Sequence, residues 1–455
     1  MTRLAGGLLR SNAHGMKAKL LATAGILATT AWTGAITVEE IYGFPQSVND
    51  PSPNGLVSHS DGTFYGTTAY GGNGNYGTVF RITAGGVITT LASFANTNGN
   101  GPQAALTAGK DGAFFGTTFF GGSVDNGTVF RVTTNGLLTR LVSFLGTNGA
   151  YPAAPLTATA DGAYYGTTVT GGSDNYGTIF RVTTNGALTT LVSFDGANGA
   201  YPYSGLVRGM DGAFYGTTAN GGGGDFGTVF RVTTNGALST VVSFAQTNGA
   251  LPYAGLAVGS DGALYGTTSA GGGSGNGSVF RVTTNGTLSL LCSFGQTNGA
   301  SPQAVLRQGN DGAFYGTTYS GGSSNLGTVF RVTPGGKLTT LVEFGGENGA
   351  LPYSSLADGN DGALFGTTSS GGSQGSGNVF RLEIAGRILP LTRNGNGWLI
   401  QIRGLPGETY ALQRTTSPGG PWSTITNLPT DQNGAGQFSD ASPPAGQAYY
   451  RLVLQ

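Results

Sequence analysis

An Asp-Gly pair recurs along this chain every 50 residues, and no insertion or deletion interrupts the spacing. The seven aspartates are Asp61, Asp111, Asp161, Asp211, Asp261, Asp311 and Asp361. Every copy also carries a Gly-Thr-Thr sequence and an arginine at fixed offsets, for example Gly116 and Arg131 in the second copy. A period of this length indicates a repeat architecture in which each copy is one structural unit.

Each copy predicts four antiparallel strands, as the second copy illustrates. A short strand at Leu106 ends at the hairpin turn Asp111-Gly112, and residues 113–118 form the second strand. Residues 127–133 and 137–144 are rich in β-branched and aromatic residues and are separated by an Asn-Gly turn sequence. Four such strands are the content of one β-propeller blade.

The arrangement of the copies predicts a closed ring. The fourth-strand pattern occurs once before the first complete copy, at residues 36–44, whereas the last copy stops after its third strand. We therefore predict that the N-terminal strand pairs with the last third strand near Phe380, which removes the two exposed edges of an open array. The fold class is thus all-β, a seven-bladed β-propeller over residues 36–384; a β-solenoid fits less well, because its coils are shorter.

The repeat motif resembles a known family. Asp-Gly-Ala-Phe-Tyr-Gly-Thr-Thr, then Gly-Gly, then Gly-Thr-Val-Phe-Arg-Val, is similar to the gloeo/verruco (GloVer) tandem repeat of choice-of-anchor proteins. The resemblance covers residues 36–383. It implies an exported, surface or extracellular repeat protein with no established activity.

The N-terminal segment differs from the repeats. Lys17 and Lys19 precede a short apolar run and then small residues, which is the order of a secretory signal peptide. We assign residues 1–35 to this signal, with Met1 or Met16 as the true start. No second long apolar run follows, so we predict no membrane span in the mature chain and a secreted, extracellular or cell-surface location.

The C-terminal segment, residues 385–455, also departs from the repeat. Short stretches that alternate like strands, such as residues 398–403 and 409–414, are separated by turn sequences such as Pro406-Gly407. This pattern predicts a small β-sandwich, and it resembles the fibronectin type III-like or Ig-like modules of secreted bacterial proteins.

Composition excludes several classes of protein. The chain has 85 glycines, and 21 Lys plus Arg balance 21 Asp plus Glu. Nucleic-acid binding is not expected, because it needs an excess of basic residues. The single cysteine, Cys292, excludes an intrachain disulfide framework, and it stands where other copies have valine, so we expect a buried core residue.

Residues with obvious catalytic chemistry are scarce. The only histidines are His14 and His59, and neither belongs to a metal-binding or nucleophile motif. We assign no catalytic residue, metal site or cofactor, and calcium in loops such as Gly222–Asp225 is the one alternative left open. The recurrent Asp and Arg of each copy are interpreted as a structural pair that ties the Asp-Gly turn to the third strand.

Candidate ligand-binding residues lie where the copies differ. Variable first-strand positions are expected to line the central channel, and aromatic residues on one loop face suit the stacking of sugar rings. The candidates are Tyr70, Phe119, Phe120, Tyr203, Tyr253, Tyr319, Tyr353, Arg208, Arg307 and Asp358.

These observations favour a monomeric, non-catalytic binding or scaffolding protein whose partner is a polysaccharide or another surface protein. The alternative is a propeller enzyme of the glycoside hydrolase or lactonase type, acting in the central channel. Asp358 is the only acid that we expect on a channel-lining first strand, whereas a glycosidase needs two carboxylates roughly 5–10 Å apart.

Overall fold

The computed structural model describes residues 38–46, 52–360, 362–384, 386–395, 397–417, 420–431, 434–444 and 448–454. The predicted signal peptide, residues 1–35, lies outside this set. One compact unit spans Ile36–Ile384, and the other contains Ala385–Gln455. Across the described ranges the regular structure is β, apart from one turn of 3-10 helix at Gln296–Asn298, and no helix there has the length and apolarity needed to cross a bilayer. The all-β prediction is confirmed.

The larger unit consists of repeated four-stranded antiparallel sheets, numbered here sheet 1 to sheet 7 in the order of the copies. It begins with β1 (Val38–Pro45). Sheet 1 contains β2 (Val57–Ser58), β3 (Thr63–Thr68), β4 (Thr78–Thr83) and β5 (Ile88–Ser93), and sheet 2 contains β6 (Thr107–Ala108), β7 (Phe114–Thr118), β8 (Thr128–Val132) and β9 (Leu138–Ser143). Sheet 3 contains β10 (Thr157–Ala158), β11 (Tyr164–Thr168), β12 (Thr178–Val182) and β13 (Leu188–Ser193), and sheet 4 contains β14 (Val207–Arg208), β15 (Phe214–Thr218), β16 (Thr228–Val232) and β17 (Leu238–Ser243). Sheet 5 contains β18 (Ala257–Val258), β19 (Leu264–Thr268), β20 (Ser278–Val282) and β21 (Leu288–Ser293), and sheet 6 contains β22 (Arg307–Gln308), β23 (Phe314–Thr318), β24 (Thr328–Val332) and β25 (Leu338–Glu343). Sheet 7 contains β26 (Ala357–Asp358), β27 (Leu364–Thr368) and β28 (Gly375–Leu382).

Sheet 7 takes its fourth strand from the other end of the unit. Its order is β1-β28-β27-β26, and β1 runs antiparallel to β28 with Glu40 opposite Phe380. This is the pairing that the unmatched fourth-strand pattern predicted. The first and last strands of the unit therefore belong to one sheet.

The hydrophobic core lies between neighbouring sheets. In sheet 2, Phe115 and Val129 are fully buried, and they pack with Leu156 and Phe180 of sheet 3. The fourth strand β9 is only partly buried, because it lies at the outer edge of its sheet. Each copy thus buries its apolar residues against the next copy rather than within itself.

Contacts of one kind recur from sheet to sheet and also join sheet 7 to sheet 1. The Thr67 hydroxyl donates to the Ala104 carbonyl of the next sheet at 3.2 Å, and the equivalent Thr367 donates to the carbonyl of Asn54 in sheet 1 at 3.2 Å. Phe64 of sheet 1 also packs on Phe365 of sheet 7, with ring centroids 4.3 Å apart. The arrangement is therefore propeller-like.

A turn glycine shows why the repeat keeps this residue. Gly136 follows Asn135 between β8 and β9 and has a φ of 89°, a left-handed conformation. A Cβ at this position would lie 2.4 Å from the carbonyl oxygen of Leu91 in the preceding sheet. Any other residue would therefore be strained and would also push neighbouring sheets apart.

The C-terminal unit contains two small antiparallel sheets. One sheet has β31 (Gly397–Arg403) at its centre, paired with β29 (Arg387–Ile388), β30 (Thr392–Asn394) and β34 (Ala435–Asp440). The other has β32 (Thr409–Thr415) between β33 (Ser423–Pro429) and β35 (Tyr449–Leu454). Their shared core cluster contains Ile400, Ile402, Tyr410, Leu412 and Leu428.

The thiol of Cys292 is expected to be unreactive in the folded protein. The residue packs at the edge of the core between sheets 5 and 6, and burial raises its pKa to about 11. Because the thiolate is the nucleophile, alkylation by iodoacetamide at pH 8 should be slow in buffer and fast in guanidinium chloride. Mass spectrometry measures the rate of alkylation. Equal rates in buffer and in guanidinium chloride would contradict this burial.

Candidate active site

The first strands of the sheets form the edge on which the candidate site lies. Each first strand is the edge strand of its sheet, and first strands of neighbouring sheets are adjacent, as for β6 with β10 and β14 with β18. The same adjacency joins β26 of sheet 7 to β2 of sheet 1. Side chains from the first and last copies are therefore close together on this edge.

The recurrent Asp–Arg pairs tie the turns to the third strands, as interpreted from the sequence. In sheets 2 to 6 the aspartate of the Asp-Gly turn forms an ion pair with the arginine of the third strand at 2.6–3.0 Å. In sheet 3, hydrogen bonds from Thr159 and Arg181 lower the pKa of Asp161 to about 2. Each of these five carboxylates is therefore occupied by an arginine of its own sheet.

Sheet 1 departs from this pattern through His59. Its Nδ1 lies 3.0 Å from Oδ1 of Asp61, which also accepts hydrogen bonds from the Thr63 hydroxyl at 2.6 Å and amide at 2.9 Å. Hydrogen bonds from Thr63 hold the pKa of Asp61 well below its ordinary range, and His59 makes a smaller contribution in the same direction. Most other sheets have glycine here, and a Cβ on Gly109 would lie 2.7 Å from Oδ1 of Asp111. A side chain at this position is therefore directed to the aspartate.

The His59 ring is held from several sides. It packs against Tyr65 and Phe114, with ring centroids 5.7 and 6.1 Å away. Its Nδ1 is shielded from solvent and has no aligned hydrogen-bond partner in the structure, whereas 31% of the side chain is exposed. The Nδ1–Asp61 contact is therefore a close approach without hydrogen-bond alignment.

Arg307 and Asp358 form the second part of the site. Arg307 Nε lies 2.9 Å from Asp358 Oδ1, and Nη2 contacts Oδ2, so the pair is joined at two points. Both side chains are nearly half exposed, and Asp358 lies on β26, the neighbour of the strand that leads into His59. The structure thus brings together two of the predicted candidates. His59, which follows the neighbouring strand β2, was not selected from the sequence.

The third candidate on the first strands, Arg208, lies on β14 in sheet 4 and is exposed. Its Nη2 would lie 3.7 Å from a Cβ on Gly212, so the guanidinium extends over the turn of its own sheet. It makes no ion pair with any residue that the structure describes. The three candidates of the first strands therefore differ in their partners.

The aromatic candidates form separate groups on the loop face. Phe119 and Phe120 contact each other with centroids 4.8 Å apart, and Tyr203 contacts Tyr253 at 5.2 Å. Two further candidates are not in such pairs: Tyr70 is 49% exposed and Tyr319 is half-buried.

Tyr353 has a structural contact. Its hydroxyl donates to the Asn54 side chain of sheet 1, and burial raises its pKa to about 12. This hydrogen bond links sheet 7 to sheet 1 without a ligand. The ligand-binding role of the aromatic set stays a prediction.

One cleft of about 570 Å³ lies between sheets 3 and 4 on the loop side, beside Tyr176, Tyr201, Asn220 and Asp225. The Asp225 carboxylate accepts a hydrogen bond from the amide of Gly221 at 2.7 Å, so this loop acid closes its own turn. Within the described ranges no group of three or more His, Cys, Asp or Glu residues is arranged to hold a metal ion. The calcium alternative stays a prediction.

Together, the fold and the site define an all-β protein of repeated four-stranded sheets with a cluster of polar residues on its first strands. Residues 52–259 and 248–393 match the Gloeobacter/Verrucomicrobia repeat. The matches cover more than half of the chain, and the chain belongs to this repeat family. No curated protein sequence matches it.

Several solved structures resemble the chain. A gluconolactonase from Xanthomonas campestris is 13% identical, with 73% of this chain and 86% of that chain covered and a TM-score of 0.39. A putative 6-phosphogluconolactonase from Bacteroides uniformis is 15% identical, with 84% and 98% covered and a TM-score of 0.46. Puromycin hydrolase is 12% identical, with 80% and 61% covered and a TM-score of 0.46.

These matches correct the expectation of a non-catalytic binding or scaffolding protein. The matched structures carry the names of lactonases and of a hydrolase, and these names agree with the alternative, a propeller enzyme, rather than with the main expectation. At these identities and TM-scores the likeness concerns the fold alone. A catalytic role for this protein therefore depends on its own side chains.

Proposed function

We propose that this protein is a hydrolase of carboxylic esters or lactones with its active site on the first strands of sheets 6, 7 and 1. The observation that carries the proposal is the contact of His59 with Asp61 in sheet 1; the Arg307–Asp358 ion pair lies on the first strands of sheets 6 and 7, of which β26 neighbours β2. A histidine oriented by a carboxylate is the usual general base in ester hydrolysis. A glycosidase fits less well, because Asp358 is engaged by Arg307 and a second free acid is needed.

The chemistry assigns one step to each group. In the tautomer with its proton on Nδ1, the nitrogen that contacts Asp61 without an aligned hydrogen bond, His59 accepts a proton from water at Nε2 while the water oxygen bonds to the carbonyl carbon. The guanidinium of Arg307 stabilises the oxyanion that forms through Nη1, since Asp358 engages only its Nε and Nη2. When the carbon–oxygen bond to the alcohol breaks, His59 returns the proton to the leaving oxygen. The products are a carboxylic acid and an alcohol, or one hydroxy acid from a lactone.

The architecture proposed around this site is a closed seven-bladed propeller over residues 36–384. Contacts of Thr367 with Asn54 and of Phe64 with Phe365 support closure between sheets 7 and 1. In such a ring the seven first strands surround one axis, and the site opens into the central channel.

The flanking segments complete the proposal. Residues 1–35 are a signal peptide and the mature protein is a secreted or surface-exposed monomer. Residues 385–455 form a fibronectin type III-like sandwich, which is supported by a four-stranded and a three-stranded antiparallel sheet that share one core.

The test is hydrolysis of a panel of aryl esters and aldonolactones by the purified protein, followed by acid release in a pH-stat. Replacing His59 with glutamine should lower kcat/KM by about 100- to 10,000-fold, because the proton acceptor is lost. Asp61→Asn should lower it by roughly tenfold or more, because the imidazole loses its orienting charge.

Asp161→Asn is the matched control. It removes the same carboxylate from sheet 3, where the partner is Arg181 rather than a histidine. It should leave kcat/KM unchanged. If Asp61→Asn and Asp161→Asn have equal effects, or if no member of the panel is hydrolysed, the hydrolase proposal is wrong.

A further inference from the structure

The turn of sheet 1 differs from the other turns at two positions that flank its aspartate. His59 precedes Asp61 by two residues, and Thr63 follows it by two residues. The residue equivalent to Thr63 is alanine in every other copy: Ala113, Ala163, Ala213, Ala263, Ala313 and Ala363. The hydroxyl of Thr63 is therefore an addition of sheet 1, beside the aspartate that contacts His59.

Thr63 holds the Asp61 carboxylate from one side. Its hydroxyl donates to Oδ1 of Asp61 at 2.6 Å and its amide at 2.9 Å, and the same oxygen lies 3.0 Å from Nδ1 of His59. The hydroxyl is itself fixed, because Thr63 is buried and pairs with Thr83 in the ladder of β3 and β4. In sheet 2 the equivalent Ala113 supplies only its amide to the turn aspartate, at 3.2 Å.

The partner of the turn aspartate changes together with Thr63. In sheets 2 to 6 the aspartate pairs through Oδ2 with the arginine of the third strand, as Asp111 does with Arg131 at 2.6 Å. Sheet 1 keeps this arginine, Arg81, but in the part of the chain that the structure describes Arg81 and Asp61 form no ion pair. The carboxylate of sheet 1 has exchanged the arginine for the histidine.

A hydroxyl donor at the turn does not by itself displace the arginine. In sheet 3 the residue equivalent to His59 is Thr159, whose hydroxyl donates to Asp161. Arg181 nevertheless binds Oδ2 of Asp161 at 3.0 Å. A donor that precedes the aspartate is thus compatible with the arginine, and the donor that sheet 1 adds is the hydroxyl of Thr63, which follows the aspartate.

We propose that Thr63 is a positioning residue of the active site, which turns the Asp61 carboxylate toward His59. The inference rests on the proposed hydrolase function. Without the hydroxyl, the carboxylate is free to pair with Arg81, as the equivalent groups do in sheets 2 to 6. A carboxylate beside the imidazole stabilises the positive charge that the ring gains from the proton of water, whereas a carboxylate bound to a guanidinium does so less well.

Thr63→Ala installs the alanine of the other copies, so the variant is expected to fold. For the aryl ester that the wild type hydrolyses fastest, kcat should fall by about tenfold with KM unchanged, because Thr63 acts on the proton transfer and not on substrate binding. Thr63→Ser keeps the hydroxyl and should retain kcat within about twofold. Thr63→Val keeps the branched shape without the hydroxyl and should behave like Thr63→Ala.

Arg81→Gln tests whether the arginine is the competing partner. In the Thr63→Ala background it should recover most of the lost kcat, whereas Arg81→Gln alone should leave kcat unchanged. Thr159→Ala is the matched control, since it removes a hydroxyl donor to the turn aspartate of sheet 3. A wild-type kcat in Thr63→Ala, or equal losses in Thr63→Ala and Thr159→Ala, would overturn the positioning role.

A crystal structure of Thr63→Ala separates this inference from the hydrolase proposal. It should place the Asp61 carboxylate against Arg81, at the 2.6–3.0 Å found in sheets 2 to 6, and away from His59. This rearrangement without hydrolysis of any ester supports the positioning of Asp61 by Thr63 and contradicts the hydrolase. Ester hydrolysis by a Thr63→Ala variant in which Asp61 still contacts His59 overturns the positioning role and leaves the hydrolase standing.

Discussion

A variant that lacks residues 38–46 is expected to self-associate and to unfold at a temperature about 10 °C or more below that of the full chain. Removal of β1 leaves β28 as an unpaired edge strand, which pairs readily with another chain. It also removes Phe44, which is 5% exposed and packs on Phe80 of sheet 1 at 5.6 Å. Size-exclusion chromatography with light scattering measures the first effect, and calorimetry measures the second.

A milder version of this experiment uses one side chain. Burial opposes ionisation of Glu40, but hydrogen bonds from Ser373 and Asn378 outweigh it and lower the pKa of this carboxyl. The stabilisation is therefore present at neutral pH and is lost as the pH falls through the lowered pKa. Glu40→Gln should lower the unfolding temperature by a few degrees at pH 7.

Glu39→Gln is the control for Glu40, because Glu39 is exposed and 3.6 Å from Arg381. Its effect should be close to zero.

A truncated chain that stays monomeric and as stable as the full one would show that β1 does not close the unit.

Strand positions were predictable because glycines and Asp-Gly or Asn-Gly turns mark the ends of each strand. In sheet 2 the predicted strands 113–118, 127–133 and 137–144 differ from the observed ones by about one residue at each end. Each strand needs only local information, the β-branched run and the turn that stops it. The short strands β29 and β30 were missed, since two or three residues carry no alternation to detect.

The candidate site was only partly predictable, because its members are single departures from the repeat. Arg307 and Asp358 were selected as channel residues, but their ion pair depends on the direction of two side chains on neighbouring sheets, which sequence spacing does not reveal. His59 was passed over as a residue found in one copy. The signal was present, since His59 stands where most copies have glycine and where a Cβ is directed to the turn aspartate.

The distribution of chemistry along this chain therefore follows from its architecture. Positions that recur in every copy, such as the Asp–Arg pairs, serve packing and turns, because each sheet must fit the next. Positions that differ are released from that constraint and can carry function. In this protein Arg307 and Asp358 are examples of differing ionic residues on the first strands, the edge that neighbouring copies share.

Replacing Phe230 with alanine is expected to lower the free energy of unfolding by about 3–5 kcal/mol. The phenyl ring is fully buried, packs on Phe194 with centroids 5.3 Å apart, and lies over Gly216 of the neighbouring strand. A Cβ on Gly216 would be 2.5 Å from Cζ of Phe230, so the ring occupies the space that the absent side chain leaves. Its removal opens a cavity that the surrounding strands cannot fill.

Guanidinium denaturation followed by circular dichroism measures the loss, with Leu137→Ala, a change at a 63% exposed side chain, as the control.

The pairing of ring and glycine gives a sharper test. Gly216→Ala alone should destabilise by about 1–3 kcal/mol through overpacking, but this cost should largely vanish in the Phe230→Ala background. Additive effects of the two changes would show that the ring does not require the glycine.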